Sequence, residues 1–161
     1  MVDYTFDSVL TYSKDRTTYL VTGSHGNIGS YIVEELCRQK DNINIICVDS
    51  LYNGNVENLY ESLTLAEGKN IFIKPVLTSI DNEKTMRETF ADFKPDYVFH
   101  CASMLTLDSK EKPIQAIKTN TLGAGIVFQL SVEHDVKKVI YSSSASVFGQ
   151  PAYTPTDENC P

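Results

Sequence analysis

The stretch Tyr19-Leu20-Val21-Thr22-Gly23-Ser24-His25-Gly26-Asn27-Ile28-Gly29 decides how the rest of this sequence is read. An apolar strand runs into three glycines spaced three apart, and an amphipathic segment follows. Glycine lacks a Cβ and reaches positive φ, so it permits a tight turn and a close approach of backbone to a ligand. A strand, a glycine turn and a helix start together aim unpaired N–H groups at one point, where an anion can sit. The spacing is G-x-x-G-x-x-G rather than G-x-G-x-x-G, so the match to a dinucleotide fingerprint is mechanical and not literal. Two readings stand: a pyrophosphate cradle built on Gly23, Gly26 and Gly29, or a tight packing turn without a ligand.

Outward from this turn, apolar strands alternate with helical segments. Strand 18–22 leads through the glycines to a helix with Ile28, Ile32, Val33 and Leu36 on one stripe. A second strand, 43–48, ends at Asp49, and Asn53-Gly54 marks a turn before a helix over 55–66. Ile71 opens a third strand that Pro75 closes or displaces to an edge. A short helix over 82–93 precedes a fourth strand, 97–101, and a polar loop then reaches Pro113. Proline suits the first turn of a helix, here a long one running to about Glu133. A fifth strand, 136–141, is followed by Ser142-Ser143-Ser144 and a Gly/Pro-rich tail. Mostly apolar strands in this alternation call for an α/β fold, a doubly wound parallel sheet of the Rossmann kind covered by helices on both faces. Six strands complete that fold, so five predict a domain cut short, its last strand left as an exposed edge. Residues 1–16 read as a polar extension, and 17–161 as one incomplete nucleotide-binding domain.

The 161 residues hold 14 basic and 21 acidic side chains, a formal charge of -7, which argues against a nucleic-acid surface. No apolar run is long enough to span a membrane or to act as a signal peptide, so a cytoplasmic protein is expected. Cys37, Cys47, Cys101 and Cys160 show no C-x-x-C spacing, and the three histidines are scattered. Reduced thiols and no metal site follow as expectations.

Among groups able to do chemistry, Asp49 closes the second strand on the edge that faces the glycine turn. A carboxylate there accepts both hydroxyls of a ribose and repels a 2′-phosphate, which favours NAD over NADP; the plainer alternative is an aspartate of a strand-end turn. His100 reads as a core or strand-end histidine, and Cys101 has no base beside it in sequence. Asn120 interrupts a helix, either bridging backbone groups near the site or standing on the surface. Gly123-Ala124-Gly125 reads as a point of close packing. Ser142, Ser143 and Ser144 either satisfy strand-end backbone or offer a hydroxyl to a substrate oxygen.

These segments resemble the extended short-chain dehydrogenase/reductase family, in particular nucleotide-sugar epimerases and dehydratases of the UDP-glucose 4-epimerase type. The matching pieces are Thr22-Gly23-Ser24-His25-Gly26-Asn27-Ile28-Gly29-Ser30, Val48-Asp49-Ser50-Leu51, Val98-Phe99-His100-Cys101-Ala102-Ser103, Asn120-Thr121-Leu122-Gly123, and the run from Val139 to Gly149. The resemblance implies that Gly23, Gly26 and Gly29 hold the NAD pyrophosphate and Asp49 the adenosine ribose. It implies that Ala102 and Ser103 line the nicotinamide side with Asn120 nearby, and that Ser144 is the catalytic serine bonding the sugar hydroxyl.

Departures from the family pattern shape the functional expectation. The family base is a tyrosine in Tyr-x-x-x-Lys, expected well beyond Ser144, and Tyr153 is followed at the fourth position by Asp157. Ser79 stands where an aspartate near the adenine amino group is frequent, and Phe148 where a tyrosine is usual. The expectation is an NAD-binding portion of a nucleotide-sugar epimerase/dehydratase-like protein, inactive alone, lacking the catalytic Tyr-x-x-x-Lys and the substrate domain. The other reading is a non-catalytic nucleotide-binding or regulatory module, acting as a homo-oligomer or with a complementing chain.

Overall fold

The computed structural model describes residues 10–160. Five strands, β1 (Thr17–Thr22), β2 (Ile43–Asp49), β3 (Ile71–Leu77), β4 (Tyr97–His100) and β5 (Lys138–Tyr141), form one sheet in the order β3-β2-β1-β4-β5. Every pairing is parallel, with Thr22 level with Val48 on one side and His100 on the other. Helices α1 (Asn27–Gln39), α2 (Tyr60–Ala66), α3 (Glu83–Phe93), α4 (Thr106–Glu111), α5 (Pro113–Ala116) and α6 (Ala124–Glu133) fill the connections. The strand order is that of the doubly wound fold, so the chain reverses its winding direction at β1.

Period-two alternation explains the two faces. Leu20, Ile46, Val48 and Val98 pack with Met86 and Phe90 of α3 and Ile126, Val127 and Leu130 of α6. Their neighbours Val21, Ile43, Ile45 and Cys47 pack on the opposite face with Val33, Leu36 and Cys37 of α1 and with Leu59. All seven residues of β2 are buried, so this strand has no wet face, and two cores sandwich one sheet.

Asp96, just ahead of β4, ties the amino ends of the central strands. Its Oδ2 accepts the Thr18 N–H at 2.8 Å, and its Oδ1 lies 2.7 Å from Lys137 Nζ. These bonds hold its carboxyl below the usual carboxylate range against the opposing effect of burial. Part of the amino-terminal extension packs on this end too. Tyr12 donates to the Phe93 carbonyl at 2.7 Å and sets its ring edge-on to Phe72 and Phe93. Buried Asn44 donates to the Ser13 carbonyl and to Thr18 Oγ1. Residues 1–9 of the expected extension lie outside the described residues.

Four local features depart from the sequence reading or sharpen it. Pro75 does not close β3; it sits inside the strand opposite Cys47, and β3 is an edge of the sheet, where a missing N–H is tolerated. The polar loop before Pro113 contains α4, whose residues include none that are buried, so no apolar periodicity announced it. The long helix from Pro113 is continuous to Glu133, but its middle, Ile117–Gly123, winds as a π-helix. Ile28, assigned to the apolar stripe of α1, is 57% exposed; it leaves the packed face because it opens the helix, at the rim of the sheet. Among the described residues no helix is long and apolar enough to cross a membrane.

Gly123 sits where the π segment meets α6, and a Cβ there would stand 2.6 Å from Ile80 Cγ1 and 3.2 Å from the Asp81 nitrogen. Gly123→Ala gains about 1 kcal/mol of helix propensity. Overpacking against Ile80 costs about 1–3 kcal/mol. The overpacking wins, and a net loss of about 1 kcal/mol is expected as a lower urea midpoint with an unchanged denaturant slope.

Candidate functional site

At the carboxyl ends of β1, β2 and β4 the sheet opens into a cavity of about 600 Å³. A winding reversal between neighbouring parallel strands leaves a crevice there, because the connections on its two sides leave in opposite directions. Gly23, Gly26, Gly29, Asp49, Ala102 and Ser103 all border it, together with Ile28, Tyr52, Asn53, Ser79, Cys101 and Leu105.

The three glycines of the opening turn have three different jobs. Gly23 takes φ +67°, and a Cβ on it would stand 2.8 Å from the Ala102 nitrogen, so the turn after β1 lies directly against the loop after β4. A Cβ on Gly29 would stand 2.0 Å from the Gly23 carbonyl oxygen, so the first turn of α1 rests on the bend itself. Gly26 donates its N–H to that same oxygen at 3.0 Å and serves as N-cap of α1 without a side chain to cap it. No acidic residue stands in the first turn of α1. The 13-residue helix therefore presents its positive end to the cavity without a side-chain cap.

Asp49 is buried at the end of β2 and accepts two backbone N–H groups, from His25 at 2.9 Å and from Leu51 at 2.7 Å. Each carboxylate oxygen has two lone pairs, so both retain a position for a hydroxyl donor. His25, to which the sequence reading gave no role in the site, holds this corner together. Its carbonyl accepts from the Asn55 N–H at 3.1 Å and from Asn58 Nδ2 at 2.7 Å, lacing the loop after β2 onto the glycine turn. Its ring is buried with Nδ1 3.0 Å from Ser24 Oγ, and burial pulls its pKa down while nearby Asp49 acts the other way. The only signal in sequence was a histidine inside a glycine turn, where small polar residues are the usual choice.

On the β4 side, Asn120 does not border the cavity but shapes its wall. Its Oδ1 accepts the Met104 N–H at 2.7 Å and its Nδ2 donates to the Met104 carbonyl at 3.0 Å, so it makes the backbone bridge while standing exposed on its helix, and the two readings open in sequence meet in one residue. Ser144 lies apart from the lining residues. Its Oγ accepts the Ser146 N–H at 3.2 Å and caps the short turn Ala145–Phe148. Tyr153 donates to Asp157 at 2.6 Å, which pushes its phenol above the ordinary value, opposite to what a base needs. Ser79 borders the cavity and its hydroxyl donates to Asp81.

His100 is a core histidine. Its ring stacks on Tyr141 with centroids 5.5 Å apart and meets Phe128 edge-on at 5.6 Å. Thr22 Oγ1 accepts the Ala102 N–H and gives its own proton to His100 Nδ1 at 2.7 Å, an assignment that leaves the neutral ring protonated on Nε2. Cys101 borders the cavity with Ser142 Oγ 3.4 Å from its sulfur. Among the described residues no group of three or more His, Cys, Asp or Glu is placed to hold a metal, and all four cysteines are free.

Residues 19–161 match the NAD dependent epimerase/dehydratase family. The chain belongs to that family. It is 33% identical over 150 residues to a UDP-glucose 4-epimerase of Drosophila melanogaster, covering 89% of this chain and 42% of that protein. Against a putative UDP-glucose 4-epimerase of Methanocaldococcus jannaschii it is 33% identical over 144 residues, or 88% of this chain and 43% of the relative. The crystal structure of a Bifidobacterium longum UDP-glucose 4-epimerase in complex with NAD⁺ and UDP superposes with a TM-score of 0.77 at 30% identity, covering 90% of this chain and 42% of the other. The chain thus spans about two fifths of the length of the family relatives it matches.

The residues present fit the family's cofactor. An uncapped helix start beside glycines that a Cβ would block suits a pyrophosphate, and a buried carboxylate with spare lone pairs suits a ribose.

Burial lowers the pKa of His100 from 6.5 to about 4. Between these values the unfolded chain binds the proton and the folded chain does not. Stability is therefore full above about pH 6.5 and falls as pH drops toward 4, by up to about 1.4 kcal/mol per unit for one such group. Urea melts of the wild type and His100→Gln across this window check it: the variant has the shallower pH slope.

Proposed function

We propose that this chain holds NAD in the cavity and contributes the cofactor-binding part of a nucleotide-sugar epimerase or dehydratase. The observation that carries the reading is the meeting of the Gly23–Gly29 turn and Asp49 at one crevice, lined by residues from both sides of the winding reversal. The N–H groups of the first turn of α1 hold the pyrophosphate, and Asp49 accepts the hydroxyls of the adenosine ribose. Its charge disfavours a 2′-phosphate, so NAD is preferred to NADP. Ala102 and Ser103 form the wall for the far end of the dinucleotide, with Asn120 holding that wall through Met104. Bound NAD supplies a hydride acceptor for a sugar alcohol.

The proton side of that chemistry calls for a base close to the sugar hydroxyl. None of the chain's tyrosines is followed four residues later by a lysine. Ser144, now capping a turn, is the residue we assign to the sugar hydroxyl, and the base and the nucleotide-sugar pocket belong to polypeptide outside this sequence. The chain by itself is accordingly a binding module without turnover.

Calorimetric titration with NAD⁺, NADP⁺ and an Asp49→Ala variant tests this. Saturable NAD⁺ binding, weaker NADP⁺ binding and a ten- to hundredfold loss in Asp49→Ala are expected, since a hydrogen bond to a charged group contributes about 1.5–3 kcal/mol. A folded chain that does not bind NAD⁺ overturns the proposal.

A further inference from the structure

Side chains from the loops on the two sides of the cavity are bonded to each other. From the loop after β2, Asn53 donates through Nδ2 to Asp108 Oδ2 of α4 at 2.8 Å. Beside it, Lys112 at the end of α4 donates to the Tyr52 hydroxyl at 2.9 Å, with its Nζ 5.0 Å from the centroid of that ring. Tyr52 and Asn53 border the cavity, whereas Asp108 and Lys112 do not. Two adjacent residues of one bank are thus fastened to Asp108 of a short helix on the other and to Lys112, which caps that helix. Both banks are separately anchored to the framework, by His25 on the β2 side and by Asn120 on the β4 side. Helix α4 buries none of its residues; besides these bonds it is held by Ser109, which donates to the Met104 carbonyl at 3.3 Å, and by its junction with α5.

We propose that Tyr52–Lys112 and Asn53–Asp108 form a strap across the dinucleotide cavity that opens to let the cofactor pass. The inference rests on the NAD reading of the cavity. The two bonds join the loops on the two sides of the cavity, so a dinucleotide passing between those loops parts them on the way in and on the way out. Exposed bonds of this kind are individually weak, which suits a fastening that opens repeatedly at ordinary temperature. A strap closed both before and after binding changes the rates in both directions and leaves their ratio nearly alone. A strut that merely supports the cavity shows the opposite pattern: its loss weakens affinity, mostly through faster release.

Stopped-flow measurement of NADH fluorescence separates these cases. In Asp108→Ala and Lys112→Met, association and dissociation rates are both expected to rise about two- to fivefold for each bond removed, the range for exposed pairs, with the dissociation constant changed less than twofold. Asn53→Asp sets two carboxylates face to face and acts in the same direction, and adding Asp108→Asn restores the pair with its roles exchanged and returns both rates toward wild type. Unchanged rates in the single variants, or faster release alone with weaker affinity and no rescue, overturn the strap while leaving the NAD site standing. Failure of the folded wild type to bind NADH overturns both.

Discussion

The fold and the site depend on one constraint, the approach of backbone to backbone at Gly23. With φ +67° and no Cβ, this residue lets the bend after β1 touch the chain just beyond β4, and its carbonyl is the surface on which the start of α1 rests. The same bend donates from Gly23 and Ser24 to the Val48 carbonyl at the end of β2. Three strand ends and one helix start are therefore fixed by contacts that a side chain would separate. A cavity whose walls come from different strands keeps its shape only if those strand ends are held in register, and this bend is where the holding is done.

Around that point, polar groups are buried in a way that leaves few free choices. Asp49 lends its two oxygens to backbone N–H groups of the glycine turn and of its own loop, so the carboxylate is oriented before any ligand arrives. His25 and His100 sit fully enclosed on either side of β1, and burial keeps both toward the neutral form. The floor of the cavity accordingly carries a negative charge at Asp49 and no compensating imidazolium. Attraction for an anion is left to the helix start, whose N-cap Gly26 directly follows the His25 that donates to Asp49. A ligand with phosphate in its middle and hydroxyls at one end meets each of these where it suits them.

Much of this was legible in sequence because it rests on period and punctuation. Strands buried on both faces read as apolar runs, the glycines marked the bend, and Asp49 ended its strand where geometry puts it beside that bend. Pro75 pointed to an edge strand, and β3 is one. What could not be read depends on tertiary contacts. Helix α4 has no apolar period, because it packs almost nothing. The π winding at Ile117–Gly123 leaves no composition signal; it is visible only once Asn120 is seen gripping Met104 at both its N–H and its carbonyl. His25 looked like one of three scattered histidines, yet its carbonyl organises the loop after β2. Ser144 was placed by resemblance near a substrate; that its oxygen also caps the turn Ala145–Phe148, by accepting the Ser146 N–H, was not legible.

The two borders of the sheet are unlike each other. Along β3 the chain carries a proline and an exposed lysine, Lys74, both of which discourage a further strand from adding. Along β5 there is no proline, but the strand opens on an exposed lysine, Lys138, ahead of Ile140 and Tyr141, which are 39% and 54% exposed. Both borders therefore carry a lysine, and β3 adds Pro75, which has no N–H to offer a further strand, so on the β3 side the row of backbone donors is broken at mid-strand.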